Sequence, residues 1–290
     1  MSNTVLYLTT VLIWGSTWLA IEFQLGVVEP EVSILYRYLI ASLILFIYCK
    51  IKRLKILFDL KYHLWFAVLG AFLFSLNYVF AYRAQIHITS ALAAIAFSTM
   101  LWINIILSRL LFGTRAGRRV LVGAFLGIVG IVLIFAPQVG EVSLSDSVFY
   151  GSLLALLGAL IASIGNMFSQ AAQNRALPVV QSNAWGMLYG AILTGVIAVF
   201  RGHAFNFDAT FTYIVSLVYL ALFGSVVAFG AYLTLLGRIG AHRAGYATVM
   251  FPVVALILSL MFEGLRLDIT IVLGTALVLL GNLLVLKETP

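Results

Sequence analysis

Long apolar blocks and short polar intervals alternate along this chain at near-regular spacing. Blocks of about 18 or more nearly uncharged residues can cross roughly 30 Å of hydrocarbon as helix. The pattern predicts ten such spans, at about 4–22, 32–49, 63–82, 90–111, 119–136, 148–171, 179–200, 210–233, 243–262 and 269–286. The connections are short, so successive helices run antiparallel.

Composition confirms the solvent. Hydrophobic residues make up 63% of the chain and charged ones 9%, with a mean hydropathy of +1.12. A water-soluble domain of this size needs far more polar surface. The net charge of +7 does not point to nucleic acid, because the basic residues sit between apolar blocks and form no continuous groove. The single cysteine, Cys49, has no internal disulfide partner. The first apolar run, Val5 to Ile21, lacks a basic leader and a small-residue cleavage site, so a retained first helix is expected.

Charge also sets the orientation. Lys50, Lys52, Arg53, Lys55 and Lys61 follow the second span, Arg109, Arg115, Arg118 and Arg119 the fourth, and Arg175, Arg238, Arg243 and Lys287 the later even spans. Only Arg83, Arg201 and Arg266 fall on the other side, with Arg37 a turn inside the second span. This asymmetry places both termini in the cytoplasm of a multi-pass plasma-membrane protein, that is, in a bacterial inner membrane. The acidic residues, among them Glu22, Glu29, Glu31 and Glu263, mostly lie opposite the basic loops.

Parts of the chain recur about 150 residues on, the weak internal symmetry of a repeat. Gly123 and Gly130 in the fifth span return as Gly274 and Gly281 in the tenth. Leu107-Ser108 and Gly113 return as Leu258-Ser259 and Gly264, and Ala81-Tyr82 as Ala231-Tyr232. Five helices per half force the second half to enter the membrane from the opposite face. The expected fold is thus an all-α integral membrane protein of two inverted five-helix repeats, residues 1–145 and 146–290. That arrangement is typical of secondary transporters, with the solute site near the midplane.

Several local motifs point the same way: Trp14-Gly15-Ser16-Thr17-Trp18, Tyr36-Arg37-Tyr38, Ser90-Ala91-Leu92-Ala93-Ala94, Ala244-Gly245-Tyr246-Ala247, Pro252 and Glu263-Gly264. In this order the chain resembles the EamA-type family of the drug/metabolite transporter superfamily over nearly its whole length. The resemblance implies a ten-helix basket, alternating access, and a central cavity lined by the first, third, fourth, sixth, eighth and ninth helices. It also implies export of amino acids, their derivatives or xenobiotics. Two departures bear on the hinge of the first half. Leu101, beside Trp102, stands where the family often has proline, and Gly113-Thr114-Arg115 where it commonly has Gly-Glu.

Polar side chains inside a span are costly unless they face protein or water. In the sixth span Ser163, Asn166, Gln170 and Gln173 share one helical face. Such a stripe either walls a solute cavity or hydrogen-bonds neighbouring helices, and four in succession favour the cavity. In the third span Ser75, Tyr78, Tyr82 and Gln85 repeat the spacing, with Asn77 alongside; the alternative for these rings, Tyr82 above all, is an interfacial aromatic belt. Trp102 lies well inside the fourth span with Ser98 on the same face, and either faces the cavity or pairs with a neighbouring helix. Tyr246 and Met250 in the ninth span, and Trp14 and Thr17 in the first, complete the candidate solute-binding set, each balanced against plain packing. Pro252 is a candidate hinge or a static kink. Gly123, Gly127, Gly130, Gly274 and Gly281 read as close-packing residues.

No Asp or Glu lies near the middle of a span, and His87 and His242 lie near loops. No proton relay is visible, so exchange, facilitated transport, or coupling through an edge residue such as Glu22 is expected. A cavity without fixed charge would bind zwitterions by hydrogen bonds and cations on ring faces. The expected function is a permease or exporter of small metabolites or drug-like solutes, acting as a monomer in the lipid bilayer without cofactor or metal. The alternative is a flippase for a lipid or lipid-linked sugar. A channel would want a ring of carbonyls or like charges. An enzyme is not expected, since the chain has no His-Glu-x-x-His run, paired aspartates or mid-membrane Ser/His pair.

Overall fold

The computed structural model describes residues 1–88, 90–141, 146–262 and 268–286, which leaves Glu263, Gly264, Arg266 and Lys287 outside the described residues. Every regular element among the described residues is helical. Hydrocarbon offers no partner to a backbone N–H or C=O, and a helix satisfies them within the segment. In chain order the helices are α1 (Asn3–Glu22), α2 (Pro30–Ile51), α3 (Leu60–Ala71), α4 (Asn77–Gln85), α5 (Ser90–Ser98), α6 (Met100–Phe112) and α7 (Arg118–Glu141). They continue as α8 (Asp146–Gln173), α9 (Val179–Phe200), α10 (Phe211–Tyr219), α11 (Ala228–Ile239), α12 (Ala241–Ala244), α13 (Ala247–Phe262) and α14 (Ile269–Leu286).

By length and composition, seven segments among the described residues could cross a membrane: Asn3–Glu22, Pro30–Ile51, Leu60–Gln85, Leu92–Phe112, Ser147–Gln173, Val179–Phe200 and Phe211–Ile239. Their ends follow local chemistry. The Ser2 side chain caps α1 by accepting from the Val5 N–H. Pro30 opens α2, where its missing N–H costs nothing. Gly113 closes α6 in the left-handed conformation at φ 69°.

Four interruptions go beyond what hydropathy predicts. Two of these segments, Leu60–Gln85 and Phe211–Ile239, each carry a π-helical stretch, Phe72–Leu76 between α3 and α4 and Leu220–Val227 between α10 and α11. The fourth breaks at Thr99, whose N–H and hydroxyl both bond the Ala96 carbonyl, at 3.2 and 2.6 Å. That local bond offers the backbone an alternative to the helical ladder. After α11 the chain forms the separate turn α12, then passes through Gly245 and Tyr246 before α13 begins.

The helices pack in pairs. α7 runs along α14, α2 along α9, α1 along α11 and α13, and α8 along α4, α5 and α6. The α7–α14 contact is backbone on backbone. A β-carbon on Gly123 would lie 2.6 Å from the Gly281 carbonyl oxygen, and one on Gly130 would lie 2.5 Å from that of Gly274. Small residues let helices approach this closely where lipid supplies no hydrophobic drive. The Tyr246 hydroxyl sits in the same seam and donates to the carbonyls of Gly123 (3.1 Å) and Val278 (3.3 Å).

The seam generates a contrast. Gly130→Ala should lower stability by about 1–3 kcal/mol, the usual cost of forcing atoms into a packed contact. Gly230→Ala, with nothing within 4 Å of its β-carbon position, should be neutral or stabilising by up to about 1 kcal/mol through helix propensity. Thermal unfolding of both variants in one detergent measures the difference; equal midpoints would refute the packing account.

Candidate functional site

A cavity with about 580 Å³ of empty space, its open mouth included, lies between α1, the third segment, the α5–α6 break, α8, α11 and α13. Its wall is almost wholly apolar and aromatic, the usual character of a small-molecule site. The lining follows α1 from Trp14 to Ile21 and the third segment from Leu73 to Ala81. It therefore extends from the middle of these helices toward the end where Glu22 and Gln85 lie.

Trp14 organises one wall. Its indole N–H donates 3.0 Å to the Gly224 carbonyl, inside the second π-helical stretch. Its ring meets Phe229 and Tyr232 at 4.8 Å each and Phe251 at 5.7 Å. One turn on, Trp18 meets Phe97 edge-on at 5.1 Å. Aromatic pairs at such distances hold their rings in defined orientations.

The opposite end of the cavity is closed by amides. The Asn166 side-chain amide donates to the Tyr232 hydroxyl at 3.0 Å and contacts Asn104 Oδ1 at 3.5 Å. Asn104 in turn reaches the Ala241 carbonyl at 3.4 Å. The Ala241 N–H donates 2.9 Å to Gln170 Oε1, and Gln173 donates 2.9 Å to the Leu233 carbonyl. A chain of hydrogen bonds thus ties α6, α8, α11 and α12 beneath the cavity floor.

Of the residues predicted from sequence, Trp14, Thr17, Asn77, Tyr78 and Asn166 line this cavity. The others lie elsewhere. Tyr82 is buried behind the wall, donating 2.9 Å to Gln24 Oε1. Ser98 bonds back to the Ala94 carbonyl at 2.9 Å within its own helix. Trp102 packs half-buried against the main core. Ser163 is buried behind the lining, Gln170 caps α12, and Tyr246 occupies the α7–α14 seam. Met250 is a buried core residue, and Pro252 is buried within α13 beside Phe251. The α8 polar stripe is therefore divided, with Asn166 facing the cavity and Gln170 and Gln173 binding other helices.

Sequence reasoning missed Trp18, Phe97, Met100, Phe229, Tyr232 and Phe251 as lining residues. For Trp18 the signal was present, since it stands four residues from Trp14 on the same helical face. Arg37 was also underrated. It is fully buried, with Nε 2.9 Å from Ser225 Oγ and Nη1 in a long 3.4 Å contact to the Tyr82 hydroxyl. Its guanidinium lies 4.6 Å from the centre of the cavity-lining Tyr78 ring and 5.3 Å from that of Tyr38.

The basic residues that depart from the charge asymmetry find a use here. Glu31, fully buried at the start of α2, accepts two 2.9 Å bonds from Arg83 and lies 3.5 Å from Arg201. Glu29 and His203 complete the cluster. The ligand atoms of Glu29, Glu31 and His203 lie within 4.8 Å of one another, close enough to hold a metal ion. The Arg83 guanidinium already supplies the positive charge there, in the bidentate geometry that suits a carboxylate.

Comparison with known proteins fits this architecture. The EamA-like transporter family model matches residues 2–136 and again 149–287. The chain is 24% identical over 276 residues to the uncharacterized transporter YoaV of Bacillus subtilis, covering 94% of this chain and 93% of YoaV. It is 26% identical over 250 residues to the uncharacterized inner membrane transporter YedA of Escherichia coli K12, covering 86% and 78%. A solved crystal structure superposes with a TM-score of 0.80 at 18% identity, covering 97% of this chain and 95% of that one, and so shares its fold.

The ion-pair cluster carries a prediction. Glu31→Gln should cost about 2 kcal/mol, because the buried side chain loses its two charge-assisted bonds from Arg83. Asp59→Asn should cost less than about 0.5 kcal/mol, since the Asp59–Lys61 pair is 73% and 68% exposed. Unfolding midpoints of the two variants test this, and a larger loss for Asp59→Asn would contradict it.

Proposed function

This chain belongs to the EamA-like transporter family, and from that membership we propose that it is a permease carrying small metabolites or drug-like solutes through the central cavity by alternating access. It is a multi-pass plasma-membrane protein. The observation that carries the proposal is a mid-helix cavity closed at one end by the Asn166–Tyr232–Asn104 network and extending toward the other along α1 and α4.

In this reading ten spans form two inverted five-helix repeats, residues 1–145 and 146–290, with both termini cytoplasmic. The two separate family matches support the division. So do the two π-helical stretches, which lie about 150 residues apart in the third and eighth spans, since wide turns of this kind often mark functional positions. Interruptions surround the cavity on several sides: both π-helical stretches, the break at Thr99 and Pro252. Each weakens the i to i−4 ladder, so each is a place where a helix can bend while the glycine-packed α7–α14 pair stays fixed. Access would switch when the amide network parts and the Trp18–Phe97 side closes.

The solute would rest on Trp14, Tyr78 and Phe229, with Asn77 and Asn166 supplying polar contacts. Selectivity over shape would be loose, because ring faces accept many apolar outlines. The protein works as a monomer, since both halves of the site lie in one chain.

Reconstituted protein should exchange radiolabelled solute from a panel of amino acids and aromatic cations. Trp14→Ala and Asn166→Ala should lower exchange about ten-fold or more, the scale of losing one to two buried contacts. Leu43→Ala, on an exposed face of α2, should leave it unchanged. Scrambling of a lipid-linked substrate with no exchange of any panel solute would replace this reading with a flippase.

A further inference from the structure

Among the described residues, Asn77 is the one side chain of the cavity wall with a buried polar atom left unpartnered. It lines the cavity and is 5% exposed, yet its Oδ1 has no hydrogen-bond partner. Its polar neighbours on the same wall are engaged. The Trp14 indole N–H donates to the Gly224 carbonyl, the Thr17 hydroxyl donates to the Trp14 carbonyl at 2.8 Å, and the Asn166 amide donates to the Tyr232 hydroxyl. A buried amide oxygen that meets no donor carries the full penalty of leaving water. An orphan of this kind on a cavity wall calls for an explanation, and a missing ligand supplies one.

The local fold sets Asn77 at this point. It follows directly on the π-helical stretch Phe72–Leu76, and wide turns of this kind often occur at functional positions. α8 packs close to it through a glycine. A β-carbon on Gly158 would lie 3.2 Å from the Asn77 carbonyl oxygen and 2.9 Å from Phe97 Cζ. The Asn77 backbone is thus held against α8, beside the cavity-lining Phe97 ring.

The chemistry of the wall narrows what could meet this amide. No charged side chain lines the cavity, so a charged solute group would lose its hydration there without gaining a counter-charge. An asparagine amide presents an acceptor oxygen beside an N–H donor. A neutral solute with its own N–H beside a carbonyl meets both halves at once, while a planar body lies against the rings of the wall.

We infer that Asn77 is the specificity-determining residue of the solute site, and that it selects a neutral, planar aromatic solute carrying an N–H donor beside a carbonyl, a lactam or carboxamide. This rests on the permease reading and names the substrate class of the same cavity.

The test compares two isomers, 4-methyl-2-quinolone and N-methyl-2-quinolone, which differ only in whether the methyl group sits on carbon or replaces the N–H hydrogen. Binding to purified full-length protein is followed by thermal shift and titration. Wild type should bind the N–H isomer about ten-fold more tightly, the scale of one buried hydrogen bond to a polar group otherwise left unpaired. Asn77→Leu should abolish the preference, and Asn77→Gln should keep part of it. Without any probe, Asn77→Leu should leave the unfolding midpoint unchanged or raise it, since no bond within the protein is lost. A lowered midpoint with the isomer preference intact would make Asn77 a structural residue and overturn the inference. Equal binding of the isomers to wild type would also overturn it, and that comparison decides the matter if Asn77→Leu does not fold. Tighter binding of naphthylmethylammonium than of the N–H isomer would overturn the neutral class. Each of these results leaves the cavity reading standing, whereas failure of both quinolones and of every solute in the transport panel would remove it.

Discussion

Hydrocarbon cannot hydrogen-bond, and that constraint governs this molecule. Every backbone amide must find its partner within the protein, which forces helices. Every polar side chain must do the same, which decides how the helices meet. Gln173 reaches the Leu233 carbonyl, Trp14 the Gly224 carbonyl and Tyr246 the Gly123 carbonyl. These bonds join helices distant in sequence, so they set which faces touch. The constraint also separates two buried charges. Glu31 is met by two arginines, whereas Arg37 is met, among the described residues, by the hydroxyls of Ser225 and Tyr82 and by the faces of two tyrosine rings.

Rigid and pliable parts are divided by the same logic. Where Gly123, Gly130, Gly274 and Gly281 bring two backbones into contact, little side-chain bulk separates them and the Tyr246 hydroxyl bonds into the seam, so the α7–α14 pair is the tightly packed part. Around the cavity the helical ladder is interrupted at Phe72–Leu76, Thr99, Leu220–Val227 and Pro252. At two of these places side chains take carbonyls, Trp14 that of Gly224, Ser225 that of Leu220 and Thr99 that of Ala96. A solute that disturbs one of these side chains acts directly on the backbone that would have to bend. Binding and motion then share the same atoms, which is what a carrier requires.

The cavity's two ends differ in chemistry. The floor is a run of neutral amides and hydroxyls, whose hydrogen bonds are individually modest and exchangeable for bonds to water or solute. The far end lies beside the Glu31–Arg83–Arg201 cluster, a charged clamp that costs far more to separate. In the proposed alternating access, parting the amides would be the easier of the two. The cluster holds the ends of α2, α4 and α9 together.

Hydropathy determined the membrane environment and the approximate helix positions, because transfer to lipid is nearly additive along a segment and needs no knowledge of neighbours. Glycine spacing likewise announced the close packing of α7 and α14, since only small residues allow backbones to touch. The candidate site was legible only in part. Trp14, Asn77, Tyr78 and Asn166 could be picked out as polar or aromatic residues in costly positions. Sequence could not tell Asn166 from Gln170, one turn away on the same face, because one meets a cavity and the other a backbone N–H of α12. Nor could it show that Arg37, a turn inside a helix, lies against the ring of the cavity-lining Tyr78. Periodicity fixes the direction of a side chain around its own helix; what stands in that direction depends on how the helices cross, and only the tertiary structure decides it.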